Sequence, residues 1–243
     1  MNIIQMFSRL SSRYDFLNRI FSFGMDYFWR KAVVQELVLF PQDKVHMSLD
    51  LATGSGELAF MLADCSKVEK VIGIDLSQQM IEVANHKRLR KLMKLHLPQL
   101  QVHSNLPTFE VGDAVNIPFA GSSFDLVTIA FGIRNFCDVK RSLIGIERIL
   151  KKGGYLIILE FSLQGTDNQF LKSIYWFYLW KIMPLIGGII AREKDAYKYL
   201  AQTIERFPGG ENFSTLVSGC GLQRVKIRKF FAVPVYLYIF RKH

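Results

Sequence analysis

The sequence predicts an α/β fold: a doubly wound, mostly parallel sheet of seven strands, with an antiparallel strand near the C-terminus. Three observations carry this. Leu49-Asp50-Leu51-Ala52-Thr53-Gly54-Ser55-Gly56-Glu57-Leu58-Ala59 reads as a buried strand that runs into a glycine turn and opens a helix. From Met47 to Phe161, apolar strand-like runs alternate with helical periodicity, the pattern of parallel strands joined by crossover helices. Finally, Leu222–Phe230 and Tyr236–Phe240 are successive strand-like runs without an intervening helix, a terminal hairpin that would add an antiparallel edge strand.

In order along the chain, residues 5–22 carry Phe7, Leu10, Tyr14, Leu17 and Phe21 at spacings of three and four, with Arg9, Arg13 and Arg19 off that stripe. Two readings are compatible: a helix packed on the domain, and a basic amphipathic lid that covers the site and touches a membrane. Ser22-Phe23-Gly24-Met25-Asp26 reads as a turn, and Tyr27–Phe40 as a helix ending before Pro41. Val45–Leu51 is expected to be the first strand and Glu57–Asp64 its helix. Lys70–Asp75 is the second strand, and Ser77 is placed to cap a helix over Gln78–Leu95. Thr108–Val111 and Phe124–Ala130 follow as strands, Val139–Leu150 as a helix closed by the turn Lys151-Lys152-Gly153-Gly154, and Tyr155–Phe161 as the fifth strand.

Lys87, Arg88, Arg90, Lys91 and Lys94 read as the solvated face of one helix, with a patch for RNA or anionic lipid as the sharper alternative. His96–Pro107 is a longer connection than the fold requires. Ile174–Ala191 is almost wholly apolar and long enough for a marginal membrane span. Pro184, Gly187 and Gly188 are expected to break that helix midway, and Lys181 would sit near the bilayer centre, so a buried helix or an apolar cover over a greasy substrate is favoured. Tyr175, Trp176, Phe177, Tyr178 and Trp180 suit an interfacial element. The expected organisation is one domain over 1–243: a helical lid (1–41), a cofactor-binding core (42–162), an apolar helical cover (163–210), and a C-terminal helix and hairpin (211–243).

Composition narrows the partners. The chain is 50% hydrophobic and has 20 phenylalanines, so some apolar surface is expected to meet a ligand or a membrane. Its net charge of +10 favours anionic surroundings, either nucleic acid or an acidic bilayer. Cys65, Cys137 and Cys220 lack metal-ligand spacing and read as reduced, mostly buried thiols of a cytosolic protein. Neither a secretory signal nor a transit peptide is expected at the N-terminus.

The glycine turn by itself means a nucleotide-type ligand. Gly54-x-Gly56-x-x-Ala59 with Asp75 at the end of the second strand would serve NAD or any adenosyl cofactor, since the acid accepts from ribose hydroxyls. Other residues favour S-adenosylmethionine. Asp50 in strand one would meet a cationic amino-acid end, where a pyrophosphate would be repelled. Asp113, in Gly112-Asp113-Ala114, is placed to accept from the adenine amine, with a turn-capping carboxylate as the alternative for both acids. Ile117-Pro118-Phe119, Ser123-Phe124-Asp125 and Leu150-Lys151-Lys152-Gly153-Gly154 lead into strands four and five in the manner of class I S-adenosylmethionine-dependent methyltransferases.

Phe131-Gly132-Ile133-Arg134-Asn135 narrows the reading further. Together with Tyr14–Asn18, Ser22-Phe23-Gly24, Leu159-Glu160-Phe161-Ser162, Pro184–Gly187, Tyr197–Leu200 and Phe207-Pro208, it resembles the ubiquinone/menaquinone biosynthesis C-methyltransferase family from about Phe7 to the end. The sequence departs from that family at Thr53, where glycine is frequent, at Ser55, where threonine is, at Ala130, where some members have serine, and in a longer stretch around Arg90–Asn105.

The resemblance implies methyl transfer from S-adenosylmethionine, without a metal, to a ring carbon of a polyprenylated hydroquinone, either demethylmenaquinol or a methoxybenzoquinol. It implies cofactor binding by Asp50, Gly54, Ser55, Gly56, Asp75, Leu76, Asp113, Ala114 and Ala130. Arg134 is expected to stabilise the phenolate and Asn135 to orient it, with Tyr14 and Asn18 on the lid near the ring; the plainer reading is that Arg134 only pairs with a carboxylate and Asn135 caps the next helix. Glu160 is a structural acid or lines the pocket. The tail implies a cytoplasmic protein held at the inner face of the cell membrane through its anionic surface. Other quinone-biosynthesis enzymes and a second copy of the chain are further partners, whereas nucleic acid is not expected. The rival readings are an RNA methyltransferase, a methyltransferase for another lipophilic molecule, and a non-enzymatic cofactor-binding protein.

Overall fold

Residues 14–95, 105–164, 168–190, 194–231 and 233–243 are described by the structure, a computed structural model. The first strand, β1 (Ser48–Leu51), is buried at every position and pairs in parallel with β2 (Val71–Asp75) on one side and β4 (Phe124–Ala130) on the other. The chain passes from β1 to β2 and β3 (Thr108–Val111), then returns across β1 to β4 and β5 (Leu150–Phe161). That reversal between β1 and β4 is the switch point where open α/β sheets bind ligands. Among the described residues the sheet order is β3-β2-β1-β4-β5-β7-β6, with β6 at Leu222–Lys229 and β7 at Val235–Lys242.

Strand residues alternate between two apolar layers, as period-two geometry requires. Leu156, Ile158, Tyr238 and Phe240 face one layer, with α5 (Val139–Ile149) and α9 (Glu211–Ser218). Ile157, Leu159, Leu237 and Ile239 face the other, with α2 (Met25–Val38), α3 (Glu57–Ala63) and α4 (Gln78–Leu95). Each such buried aliphatic side chain contributes about 1.5–3 kcal/mol. The terminal hairpin departs from expectation. Its antiparallel strand β7 lies inside the sheet beside β5, and β6 takes the edge. The side chains explain this: β7 is apolar on both faces and buried from Val235 to Phe240, while β6 carries Arg224, Lys226, Arg228 and Lys229, charges that protect an open edge.

Other boundaries shift for local reasons. Val45 makes only an isolated bridge to Val68 ahead of β1. Lys151–Gly154 are strand rather than turn: β5 absorbs them in a register shift against Phe124 and Leu126, with Gly153 at φ +79. Pro184, Gly187 and Gly188 do not break the apolar helix. A π turn at Tyr178–Ile182 joins α6 (Gln169–Phe177) to α7 (Met183–Ile190), so Pro184 falls in the first turn after it. Gly187 is needed for contact, because a Cβ there would stand 2.0 Å from the Tyr197 ring on α8 (Lys194–Arg206).

Of the helix expected over 5–22 the structure describes α1 (Tyr14–Phe21); Phe7, Arg9, Leu10 and Arg13 lie outside the described residues, as do 96–104 of the long connection and Ala191 of the apolar run. Leu17 of α1 packs with Leu179, Met183, Ala201 and Ile204 in a third core under the helical cover. The Tyr178 hydroxyl donates to the Phe21 carbonyl at 2.8 Å. Part of the basic face of α4 is engaged: Lys87 pairs with Asp15 of α1 and with Glu57, each at 2.5 Å, and Lys91 with Asp64. Of the cysteines, Cys220 is buried but Cys137 is exposed, contrary to expectation. Among the described residues no helix is long and apolar enough to cross a membrane.

Candidate active site

The glycine turn after β1 is built around a buried acid. Asp50 is 1% exposed; its Oδ2 accepts from the Thr53 hydroxyl and its Oδ1 from the Thr128 hydroxyl, both at 2.7 Å. Thr128 stands opposite Asp50 in the parallel register of β1 and β4. Burial pushes the Asp50 carboxyl up to about 6, against the pull of the two hydroxyls and the Arg30 guanidinium. Thr53, the departure from the family pattern, therefore has a function that glycine lacks.

Both strand ends leave the sheet through left-handed backbone. Ala52 has φ +53 and Gly54 φ +56 after β1, and Phe131 has φ +61 after β4. A non-glycine residue in that region costs about 1–3 kcal/mol, a strain that clusters at ligand sites. Gly132 permits the close approach of the two ends, since a Cβ there would lie 2.6 Å from that of Ala52.

Two cavities meet at these turns. The first, ≈ 350 Å³, lies over the ends of β1, β2, β3 and β4 and is lined by Gly54, Asp75, Leu76, Asp113, Ala114 and Ala130. Its volume suits a small organic cofactor. The second, ≈ 690 Å³, opens between α1, α2 and the helical cover, with Phe21, Trp29, Phe161, Tyr175, Tyr178 and Tyr197 in its walls. Tyr14 and Phe131 line both. Phe131 stacks on Phe161 with ring centroids 4.8 Å apart and takes the edge of Trp29.

Most of the residues assigned to the cofactor from sequence come together at the first cavity. Asp75 accepts from the Gly54 and Ser77 amides, each at 2.9 Å, and burial pushes its pKa up. Asp113 accepts from the Val115 amide at 2.8 Å and from the Asn116 side chain at 3.2 Å, the turn-capping alternative, while still lining the cavity. Three residues sit elsewhere. Asp50 and Ser55 line a side recess that shares Tyr14, Gly54 and Ala130 with the first cavity and adds Arg30. The Ser55 hydroxyl donates to Asp15 of α1. Gly56 does not line the first cavity; it makes room for the Phe109 ring, which a Cβ would approach to 2.6 Å.

Arg134 and Asn135 form a single helical turn (Ile133–Asn135) after β4 and face different cavities. Asn135 lines the first, and its Oδ1 accepts from the Tyr199 hydroxyl at 3.3 Å. It does not cap the next helix; Asp138 does, accepting from the Arg141 amide at 2.9 Å. Arg134 lines the second cavity, and its side chain is 5% exposed. Its Nη1 is committed, donating to Glu160 and, at 2.7 Å, to the Phe131 carbonyl. Glu160 is fully buried; burial pushes its pKa up, and the Arg134 guanidinium and nearby amides pull it back.

Thr128 and Cys137 were not assigned to this site from sequence, and Phe131 was singled out only as part of the Phe131–Asn135 motif. Thr128 was legible in principle, as the strand residue in register with Asp50. Cys137, which also lines the first cavity, carries no signal in spacing or composition, and Phe131 carries none for its left-handed backbone. Their position depends on the backbone turns after β4.

With this geometry in hand, comparison with known proteins is specific. The profile of the ubiE/COQ5 methyltransferase family matches residues 1–238. A ubiquinone/menaquinone biosynthesis C-methyltransferase UbiE of Geotalea daltonii is 36% identical over 226 residues, covering 92% of this chain and 89% of that protein. A demethylmenaquinone methyltransferase of Thermotoga maritima is 40% identical over 204 residues, 84% of this chain and 80% of that one. Among solved structures, an S-adenosylmethionine-dependent methyltransferase of Thermotoga maritima superposes with a TM-score of 0.63 at 21% identity, over 98% of this chain and 99% of that one. That similarity speaks to the fold.

Proposed function

The chain belongs to the ubiE/COQ5 methyltransferase family, from which we infer that it is an S-adenosylmethionine-dependent C-methyltransferase of quinone biosynthesis. The proposed acceptor is a polyprenylated hydroquinone, demethylmenaquinol or 2-polyprenyl-6-methoxybenzoquinol. One observation carries the acceptor: a cavity holding two carboxylates and a larger apolar cavity share the wall made by Tyr14 and Phe131. Two reactants of opposite polarity would meet there, the cofactor on one side and the ring and tail on the other.

The residues present fit the cofactor. Asp75 has lone pairs left to accept from ribose hydroxyls, Asp113 in the cavity wall offers an acceptor to an adenine amine, and Asp50 offers a buried carboxylate to a cationic amino group. When bound, S-adenosylmethionine supplies an electrophilic methyl group on a sulfonium leaving group. The protein's part is alignment, exclusion of water and charge. Loss of a phenolic proton makes the neighbouring ring carbon nucleophilic; that carbon gains the methyl group and releases its hydrogen as a proton. In this reading Arg134 stabilises the phenolate from the wall of the apolar cavity, directly or through water, while Asn135 and Tyr14 fix the ring against the cofactor side. Lipids extracted from a strain lacking this protein should accumulate the demethylated quinone. An unchanged quinone profile refutes the reading.

The tail calls for a bilayer. Phe23, Phe170, Ile174 and Phe177 line the apolar cavity and are exposed, Phe23 at 82% and Phe170 at 73%. With Arg19 also exposed nearby and a net charge of +10, this rim supports peripheral contact with an anionic membrane surface. The protein should sediment with anionic liposomes, less so as salt rises, and Phe170→Glu with Phe177→Glu should lower the bound fraction severalfold without changing cofactor affinity. Absence of sedimentation counts against membrane contact.

A further inference from the structure

We propose that Glu160 is a positioning residue for methyl transfer, acting through Arg134 on Phe131, which with Tyr14 forms the wall shared by the two cavities. The proposal rests on the two-cavity reading above and adds to it the device that holds the shared wall. The observations are geometric. Phe131 keeps a left-handed backbone at φ +61 although it carries a large side chain. Its amide donates to the Leu159 carbonyl at 2.7 Å, and its own carbonyl accepts from Arg134 Nη1 at 2.7 Å. The same Nη1 donates to Glu160 Oε1. Arg134 is thus pinned between the acid on β5 and the strained turn after β4.

Glu160 itself faces donors only. Oε1 accepts from Arg134 Nη1 and, at 2.8 Å, from the Phe161 amide; Oε2 accepts from the Arg134 amide at 3.3 Å. Arg134 and Glu160 are buried, with side chains 5% and 1% exposed, so water does not substitute for either. Only an ionised carboxylate accepts at every one of these contacts. Glutamine would aim an NH2 group at an N–H group, leaving two buried donors opposed. Loss of the carboxylate charge would also weaken the hold on Arg134 Nη1, so the guanidinium would leave the Phe131 carbonyl and the turn would relax toward an unstrained conformation. The Phe131 ring would then leave its stack on Phe161, 4.8 Å between centroids, and the wall that aligns acceptor with cofactor would shift. A misplacement of about 1 Å is enough to cost about 100-fold in rate. The cofactor's own contacts, through Asp50, Asp75 and Asp113, do not pass through Glu160.

The test compares wild type, Glu160→Gln, Phe131→Leu and the double variant, with S-adenosylmethionine and a short-chain demethylmenaquinol or methoxybenzoquinol. Turnover is measured per cofactor-binding site, counted by calorimetry with S-adenosylhomocysteine. The expected result for Glu160→Gln is a loss of kcat of about 100-fold, an affinity for S-adenosylhomocysteine within about threefold of wild type, and partial recovery in Glu160→Asp, which keeps the charge. Phe131→Leu should lose a comparable factor, and the double variant should be no worse than the poorer single one, because both changes spoil one wall. A Glu160→Gln enzyme that melts earlier but turns over normally per binding site overturns the positioning role, as do multiplicative losses in the double variant. An inactive wild type on both quinols instead overturns the functional reading, and this role with it.

Discussion

Asp50→Asn should weaken S-adenosylmethionine binding by about 10- to 100-fold, the loss of one charge-assisted hydrogen bond, while making the ligand-free protein more stable. Both effects come from one buried carboxylate. Its ordinary value of 3.8 is pushed up to about 6 by burial, with the Thr53 and Thr128 hydroxyls and the Arg30 guanidinium acting in the opposite direction. A folded-state pKa above the unfolded one means that the folded protein holds its proton more tightly. The stabilisation is fully present below 3.8 and is lost as pH rises through about 6. At neutral pH the ionised acid therefore costs on the order of 3 kcal/mol, from about two pK units at 1.36 kcal/mol each. Asparagine avoids that cost and still bonds both threonines, which are free to donate or accept. Melting temperature measured from pH 5 to 8 should fall with pH in the wild type, and less steeply in the variant. In the proposed binding mode the cofactor's ammonium would favour the ionised form, so binding should release a proton near pH 6, read by calorimetry in buffers of different ionisation enthalpy. A variant that binds the cofactor normally would remove Asp50 from the site.

Arg134→Ala has the other large effect, on two observables at once. Turnover should fall by at least about 100-fold, the usual cost of losing a donor to developing oxyanion charge. Stability should also fall, because Glu160 is left as a buried carboxylate without its cation, a loss of about 3–5 kcal/mol. For a chain of this size that corresponds to roughly 10 °C in Tm. The two effects separate in Arg134→Met combined with Glu160→Leu, where an apolar pair replaces the ion pair: stability should return and turnover should not. S-adenosylhomocysteine affinity should stay within about threefold in the folded fraction of each variant, since Arg134 lines the apolar cavity and not the cofactor cavity. If activity returns in the apolar pair, Arg134 serves only stability.

The sheet was legible because strand residues repeat with period two and crossover helices with period 3.6, and both periods survive in the linear order of residues. That is why β1 to β4, their helices and the glycine turn fall close to where the pattern puts them. The same local logic failed where a contact distant in sequence decided the outcome. Pro184 and Gly187 look like helix breakers until a π turn shifts the helix and the Tyr197 ring fills the space beside Gly187. The hairpin looks like an edge until β7, apolar on both faces, takes the interior and leaves the basic β6 outside.

The candidate site divides in the same way. Gly54, Asp75 and Asp113 lie at or just after strand ends, so their convergence on one cavity could be read from the chain, whereas Asp50, inside β1, faces a neighbouring recess. Thr53 made sense only once β4 brought Thr128 to the other side of Asp50. Arg134 and Asn135 are neighbours in sequence, yet they face different cavities, because the turn after β4 sends successive side chains in divergent directions. By itself the sequence determined the fold class and pointed to an adenosyl cofactor over the glycine turn. The tertiary structure alone decided which groups share a wall, because Tyr14 on α1, the Phe131 turn and the Glu160 carboxylate are far apart in the chain and meet only through packing.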